Sequence, residues 1–446
     1  MTGRPWLSII LAAGLGTRMK SALPKVMHAV AGRPMVGHAA ASAVDAGAER
    51  LAVVIGPDMQ GVAASLRHLR EPAAFFVQTE RLGTAHAVLA AREAVAGFQG
   101  DVVIQYGDTP LLRAETLKRL RAVLDGGAGL AVLGFEAENP FGYGRLILDE
   151  TGGLAAIREE KDASQAERAI RLCNSGVMAL RAEIMLPVLE QIGNANAKGE
   201  YYLTDAVEIA RRQGIGVAVE VCAEEEVLGV NDRVQLAAAE RVMQQRLRRA
   251  AMEGGATLIA PETVTFAFDT RLGRDVIVEP NVFFGPGVTV EDDVHIKANC
   301  HLEGARVAHG AVVGPFARLR PGADIGQDVR IGNFVEVKQA TVEAGAKINH
   351  LAYVGDARVG AKANIGAGTI VCNYDGFNKH FTEIGTGAFI GSNSALVAPV
   401  KVGDGAFIGT GSVITRDIEA NALALERSEL RQMPGWAARF RARHGK

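Results

Sequence analysis

Apolar positions along the chain divide it near residue 230 into two stretches with different periods. In the first, short β-rich runs bounded by glycine, "LAVVIG" (51–56), "DVVIQYGD" (101–108) and "LAVLGF" (130–135), alternate with longer segments. Those segments, "GTAHAVLAAREAVAG" (83–97) and "AETLKRLRAVLD" (114–125), carry helical spacing and strong helix formers. Such alternation predicts a mostly parallel sheet covered by helices. Residues 232–252 contain no Gly or Pro, begin at Asp232, a capping residue, and stop before Gly254 and Gly255. They predict one long helix dividing two domains.

Beyond that helix the period changes to six. Val278, Phe284, Val290, Ile296 and Leu302 start the series, which slips by one and resumes from Val307 through Val337. It slips again at Val342 and at Val359, and after an excess segment around "FNKHFTE" continues from Ile384 to Ile414. Four positions after most anchors sits a small or β-branched residue, such as Ala317, Val329, Thr369 or Ala406. A helix repeats at 3.6 and a strand at 2, so neither fits. A hexad with a large and a small inward residue fits one face of a prism-shaped parallel β-helix, three hexads closing one coil. A β-sandwich with regular turns is the competing reading.

The length, 446 residues, exceeds one ordinary core. With 48 Lys plus Arg against 50 Asp plus Glu, the net charge of -2 predicts no nucleic-acid surface. Any phosphate site should therefore be local. The four cysteines (Cys173, Cys222, Cys300, Cys372) form no CxxC pair, which argues against a disulfide framework or a zinc site and suits a reducing cytoplasm. His295 and His301 stand one hexad apart, on successive prism faces, and so do not form a zinc trio with a third histidine. The N-terminal apolar run is too short for a signal peptide, and no segment approaches the ~20 apolar residues that cross a bilayer. The expectation is a cytoplasmic protein with no membrane partner.

The stretch "SIILAAGLGTRM" (8–19) runs an apolar strand into two glycines and Arg18, with Lys25 close behind in "LPK". The dinucleotide fingerprint G-x-G-x-x-G fails because Met19 holds its third glycine position, and no G-K-[ST] follows for a P-loop. Glycine backbone N–H groups with Arg and Lys can hold a polyphosphate, while a tight turn with two solvated cations remains the alternative.

Further motifs extend the pattern in order: "QTERLGTAHAV" (78–88), "YGDTPLL" (106–112), "GYGR" (142–145), "CNSGV" (173–177) and "GVNDRVQL" (229–236). With "LAAGLGTRM…LPK" they resemble the sugar-nucleotide pyrophosphorylases, which have a Rossmann-like sheet. Together with the hexads, nearly the whole chain resembles the bifunctional N-acetylglucosamine-1-phosphate uridyltransferase / glucosamine-1-phosphate acetyltransferase family. The resemblance implies an α/β fold with three parts. These are a Rossmann-like nucleotidyltransferase domain at 1–230, a linker helix at 231–253, and a left-handed parallel β-helix with a tail at 254–446. It implies uridylyl transfer from UTP to N-acetylglucosamine 1-phosphate, releasing pyrophosphate, after acetyl transfer from acetyl-CoA to glucosamine 1-phosphate. The product would feed bacterial peptidoglycan and lipopolysaccharide precursors.

By the same resemblance, Leu11, Ala12, Ala13, Gly14, Gln78, Gly83, Thr84, Tyr106 and Gly107 hold the uridine nucleotide. Arg18 and Lys25 face its phosphates, and Asp108 and Asn231 form a Mg2+ pair of hard oxygens. Gly144, Glu159 and Asn174 contact sugar and nucleotide. In the second half His350, two residues after Ile348 and near a corner, matches the catalytic base for the amine proton. Arg320 and Lys338 match a sugar-phosphate clamp, and Tyr353 and Asn364 match sugar contacts. The backbone of Ala367 matches an oxyanion donor. Asn373, Tyr374, Ser392, Thr410 and Arg427 match acetyl-CoA contacts, although Thr410 stands where the family often has a smaller residue. The basic end "RFRARHGK" either meets the phosphorylated coenzyme or belongs to a disordered, solvated tail over 434–446. A homotrimer is implied, with acetyltransferase sites between subunits. Two other functions are weighed: a nucleotidyltransferase whose β-helix is structural only, and a catalytically dead sugar-nucleotide scaffold.

Overall fold

The computed structural model describes residues 4–67 and 72–444. Contacts partition the chain into residues 1–244 and 245–446, so the division falls inside the long helix Arg233–Glu253 rather than at either of its ends. The Asp232 carboxylate accepts from Gln235 N at 2.9 Å and caps that helix, which closes at Gly255 in the left-handed region (φ 101°).

Among the described residues, the main sheet of the first unit has nine strands: β1 (Trp6–Leu11), β2 (Arg50–Ile55), β3 (Ala73–Val77), β4 (Asp101–Tyr106), β5 (Leu130–Glu136), β6 (Arg145–Leu148), β7 (Leu154–Arg158), β8 (Leu172–Arg181) and β9 (Val217–Cys222). The sheet order is β9-β5-β8-β4-β1-β2-β3, with β6 and β7 forming a hairpin off β8. β1 pairs in parallel with both β2 and β4. Strand order reverses between them, which opens a crevice at their carboxyl ends. β8 departs from the parallel scheme and runs antiparallel between β4 and β5. Continuous burial of β1 and of most of β2 and β4 explains their unbroken apolar runs, since helices such as Met35–Ala46 and Ala114–Asp125 cover the sheet. The predicted helix over 83–97 is split into Thr84–Leu89 and Arg92–Val95, and each piece buries its own valine, Val88 and Val95. At the start of β4 the buried Asp101 carboxylate is satisfied by Arg4, Arg121 and Arg181 at 3.3, 2.9 and 2.6 Å.

The second unit is the β-helix that the hexads predict. Every anchor from Val278 to Ile414 is buried, with the small partners Ala317, Ala323, Thr369, Ser394 and Ala406 beside them. Strands mostly two residues long stack in parallel one coil apart, for example Ile277–Val278 on His295–Ile296. Each buried aliphatic anchor contributes about 1.5–3 kcal/mol, so the column of anchors along the axis is the main source of cohesion. His295 and His301 do lie on different faces: His295 bonds Glu279 at 2.8 Å, and His301 stacks on Phe283. Over its described residues the tail is solvated, as one reading had it, but ordered where that reading had it disordered. Trp436–His444 is a helix with no buried residue, in which Trp436 stacks on Phe440 one turn on. Residues 445–446 of the basic end lie outside the described residues.

Candidate functional site

The crevice at the carboxyl ends of β1 and β4 is a cleft of about 310 Å³. Leu11, Ala12, Ala13, Gly14, Lys25, Gln78, Gly83, Thr84, Tyr106 and Asp108 line it, together with Val26, Arg81, Ala87 and Glu200. The loop leaves the sheet with its backbone fixed: Ala12 N donates to Val54 O at 2.8 Å, and Gly107 N to Leu11 O at 2.9 Å. Its two glycines act differently. A Cβ on Gly14 would meet nothing within 4 Å, so the backbone there faces open space. Gly16 sits at φ 62°, and a Cβ there would fall 2.4 Å from Lys25 Cβ, so it lets the loop close over that lysine.

Lys25 Nζ donates to Asp108 Oδ2 and, at 3.1 Å, to Asn231 Oδ1. Asn231 is brought there by the neighbouring backbone, where Val230 N donates to Asp108 O at 2.9 Å. A carboxylate and an amide oxygen, two hard donors, thus already converge on one cation. Such a pair fits a magnesium ion that completes its shell with water and substrate phosphates. No group of three or more His, Cys, Asp or Glu able to hold a metal occurs among the described residues. Arg18 lies exposed in the turn Thr17–Met19 and is not part of the cleft lining. The cation that sequence reasoning missed is Arg81, whose Nε donates to Ala13 O at 3.0 Å and braces the loop from below. Its signal lay inside the quoted "QTERLGTAHAV". Glu200, in "KGEYYLTD", carried none.

Gln78 is buried against His86, its Nε2 3.2 Å from Nδ1. Gly83, at φ 125°, accommodates Tyr201, whose carbonyl oxygen would lie 2.5 Å from any Cβ there. Thr84 Oγ1 accepts from Leu203 N at 3.0 Å. Tyr106 joins this group to a second one. Burial pushes its phenol well above the ordinary range, and the Asp108 and Glu159 carboxylates add to the effect. Around Glu159 the structure gathers Gly144 and Asn174: a Cβ on Gly144 would lie 3.6 Å from Glu159 Oε1, and Asn174 N donates to Gly144 O. A bulge in β8 between Asn174 and Met178 turns Asn174 Oδ1 onto Gly176 N at 2.9 Å. Burial raises the Glu159 carboxyl above the usual carboxylate range, against Lys198 and a hydrogen bond from Thr204.

In the β-helix, the predicted residues fall into columns that run along the axis. His350, Ala367, Ser392 and Thr410 each stand two residues after the stacked anchors Ile348, Ile365, Ile390 and Ile408. Glycine precedes the last three because the next coil passes where a side chain would be: a Cβ on Gly366 would meet Ser392 N at 2.6 Å, and one on Gly391 would meet Thr410 N at 2.5 Å. Arg427 lies one residue past the next level of the column, Ile408 pairing with Ala424, and donates to Thr410 O at 3.0 Å. A further residue, Asn333, heads it, and sequence reasoning did not select it although the same count of two after Ile331 points to it. Asn364 lies on the same face, stacked between Lys347 and Phe389.

On the adjoining face Arg320 and Lys338 each follow a stacked anchor, and Arg320 Nη1 is held by Glu336 at 2.7 Å. The next position up is Gly355, paired with Lys338. A Cβ there would lie 2.4 Å from the Tyr353 hydroxyl, so the glycine makes room for that phenol. Asn373 Nδ2 donates to Asp356 and, at 3.5 Å, to the Tyr353 hydroxyl. The Lys379 side chain depresses the Lys338 ammonium, which marks a concentration of positive charge. Tyr374 is exposed in the excess segment, bridged to Lys379 and donating to Gly376 O at 2.5 Å.

Comparison with known proteins agrees with both halves. The family model described as MobA-like NTP transferase domain matches residues 8–172, and the model for bacterial transferase hexapeptide (six repeats) matches residues 381–416. A protein named bifunctional protein GlmU from Azorhizobium caulinodans is 63% identical over 446 residues, covering 100% of this chain and 99% of its own. Its namesake from Xanthobacter autotrophicus is 62% identical over 448 residues, with 100% and 99% covered. That from Paramagnetospirillum magneticum is 56% identical over 436 residues, with 97% and 96% covered.

Proposed function

The chain belongs to the family of the bifunctional GlmU proteins, enzymes that transfer acetyl and uridylyl groups in UDP-N-acetylglucosamine synthesis, and from that premise we propose which of its residues perform each transfer. The β-helix is the left-handed hexapeptide type, and the first unit is a nucleotidyltransferase domain.

Uridylyl transfer takes place in the cleft below Gly14. The phosphate of N-acetylglucosamine 1-phosphate is already an anion, so its attack on the α-phosphorus of UTP needs no general base. It needs in-line placement and neutralised charge. The open backbone at Gly14, the Lys25 ammonium and Arg18 from the adjoining turn supply charge and N–H donors, while Gln78, Gly83, Thr84, Tyr106 and Gly107 shape the nucleotide end. Gly144, Glu159 and Asn174 receive the sugar. Asp108 and Asn231 would hold Mg2+, which when bound offsets the charge of the triphosphate and of departing pyrophosphate. The observation that carries this half is the convergence of Asp108 and Asn231 on one cation, the Lys25 ammonium.

Acetyl transfer uses the β-helix columns. The free amine of glucosamine 1-phosphate attacks the thioester carbon of acetyl-CoA: a C–N bond forms, the C–S bond breaks, and the amine proton passes through His350 to the departing thiolate. Arg320 and Lys338 clamp the sugar phosphate, Tyr353 and Asn364 hold the sugar, and the Ala367 N–H faces the oxyanion. Asn373, Tyr374, Ser392, Thr410 and Arg427 take the coenzyme. A homotrimer fits this reading, because Phe316, Phe334 and Leu351 form an exposed apolar ridge along the corner that follows His350. UTP and acetyl-CoA as substrates, together with four free cysteines, suit a cytoplasmic enzyme.

A paired assay on purified protein tests the reading, with UTP plus N-acetylglucosamine 1-phosphate in one arm and acetyl-CoA plus glucosamine 1-phosphate in the other. His350→Ala loses only the second activity. Loss of both, or retention of acetyl transfer, overturns the assignment. A monomeric mass in solution with full acetyl transfer overturns the trimer.

A further inference from the structure

The side-chain oxygen of Asn333 lies 2.6 Å from His350 Nδ1, one coil below it in the column that carries Ala367, Ser392 and Thr410. We propose that Asn333 is the positioning residue of the acetyl-transfer site: its amide oxygen accepts the Nδ1 proton, which fixes the tautomer and leaves the proton-accepting lone pair on Nε2. The inference rests on the reading of His350 as the base.

Three features of the fold bring this pair together. The phase slip before Val342 shortens the step here, so that Ile331 registers with Ile348 after 17 residues rather than the 18 between Val313 and Ile331. The shortened coil packs so tightly that a Cβ on Gly332 would lie 1.8 Å from Asn349 O. The ladder also extends: other strand pairs of this face register over two residues, whereas this one adds a third pair, Asn333 with His350. Beyond the pair, Phe334 and Leu351 both take left-handed backbone (φ 56° and 49°), and Leu351 N donates to Asn333 O at 3.0 Å. Left-handed backbone is unfavourable for such side chains. Both residues therefore bend the chain at the same level and keep Asn333 and His350 side by side.

An acceptor on Nδ1 matters because a neutral imidazole offers one lone pair, and the hydrogen bond made by the other nitrogen decides which atom carries it. A ring without that partner divides between tautomers and rotamers, and only a fraction is ready to take the amine proton. The charged and titratable groups lining the same groove are His295, Lys297 and Arg330. They stay constant in the variants, so a moved pH profile reports residue 333 itself.

Acetyl-transfer kinetics of Asn333→Ala and Asn333→Asp as a function of pH test the proposal, with far-UV circular dichroism as the check on folding. Asn333→Ala should lower kcat at least about tenfold while leaving KM for glucosamine 1-phosphate near its original value. Asn333→Asp keeps the acceptor and should recover most of kcat. Its carboxylate favours the imidazolium, so the acid limb of kcat/KM moves to higher pH. The proposal is overturned if Asn333→Ala keeps kcat and pH profile, or if Asn333→Asp is as impaired as Asn333→Ala with an unmoved limb. His350→Gln separates the two readings: if it retains acetyl transfer the base assignment fails, whereas its loss beside an unaffected Asn333→Ala removes only the positioning role.

Discussion

Lys25 Nζ and Asn231 Oδ1 lie 3.1 Å apart although 206 residues separate them, and the Asp108 carboxylate closes on the same ammonium. The trio ties the turn after the first loop, the end of β4 and the lead into the long helix to one point. Removing the carboxylate leaves Lys25 and Asn231 without the anion that orders them. Asp108→Ala should reduce uridylyl transfer on the order of 100-fold or more and leave acetyl transfer intact. Asn231→Ala should instead raise the Mg2+ concentration that gives half-maximal uridylyl transfer. Normal synthesis of UDP-N-acetylglucosamine by Asp108→Ala would sink the metal assignment.

The two loop glycines should separate folding from binding. Gly16→Ala forces a β-carbon into left-handed backbone, at about 1–2 kcal/mol, and drives it against Lys25. Both the melting temperature of the first unit and kcat for uridylyl transfer should fall. Gly14→Ala meets no protein atom and has ordinary backbone, so stability should hold while KM for UTP rises. Equal loss of stability in the two variants would show that Gly14 serves the fold and not the ligand approach.

Glu159, proposed above to receive the sugar, is kept at a cost. Burial raises its carboxyl, so its ionised form is disfavoured in the folded protein. The sign follows from proton linkage: the stability tied to this group is fully present at pH values below the ordinary carboxylate range and is lost as pH rises through the folded pKa. Glu159→Gln should therefore melt higher than the parent at pH 8, with the difference vanishing toward pH 4. It should also bind N-acetylglucosamine 1-phosphate less tightly. Melting scans at the two pH values, with KM for the sugar phosphate, check both halves; an equal Tm difference at both pH values would contradict the linkage.

The β-helix was legible in the sequence because its physics is local and periodic. Each hexad reports its own inward residue, and the slips reported where coils shorten. The same arithmetic contained the column of His350, Ala367, Ser392 and Thr410. Asn333 followed from it too, yet only the side-chain distance distinguishes a partner from a bystander. The first unit was legible by motif and by alternation of strand and helix. Its antiparallel β8 was not, because direction in the sheet is set by long-range pairing and not by the strand's own residues. Arg81 escaped for a similar reason: its bond to Ala13 spans 68 positions and leaves no periodic trace. The tail helix Trp436–His444 has no buried residue, and its helical signal in the sequence is confined to Trp436 and Phe440 one turn apart.

His38 supplies a pH dependence for the first unit. It is buried in the helix Met35–Ala46, with its Nε2 2.8 Å from Val30 O. Burial lowers its pKa from 6.5 to about 4, and Arg33 acts in the same direction against the Val30 hydrogen bond. The imidazole is therefore neutral in the folded state, while the unfolded chain takes up a proton below pH 6.5. Stability from this residue is complete above that value and is lost as pH falls through about 4, a total of about 3 kcal/mol by the usual 1.36 kcal/mol per unit. Trp6, fully buried in β1, reports unfolding of this unit in a Trp436→Phe background. The urea midpoint should fall between pH 7 and pH 4 more steeply in the parent than in His38→Gln, whose Nε2 amide can still donate to Val30 O but does not titrate. Glutamine does not fill the volume of the ring and gives a lower midpoint at every pH, so the slope and not the midpoint carries the test. Identical slopes in the two proteins would remove His38 from the acid response.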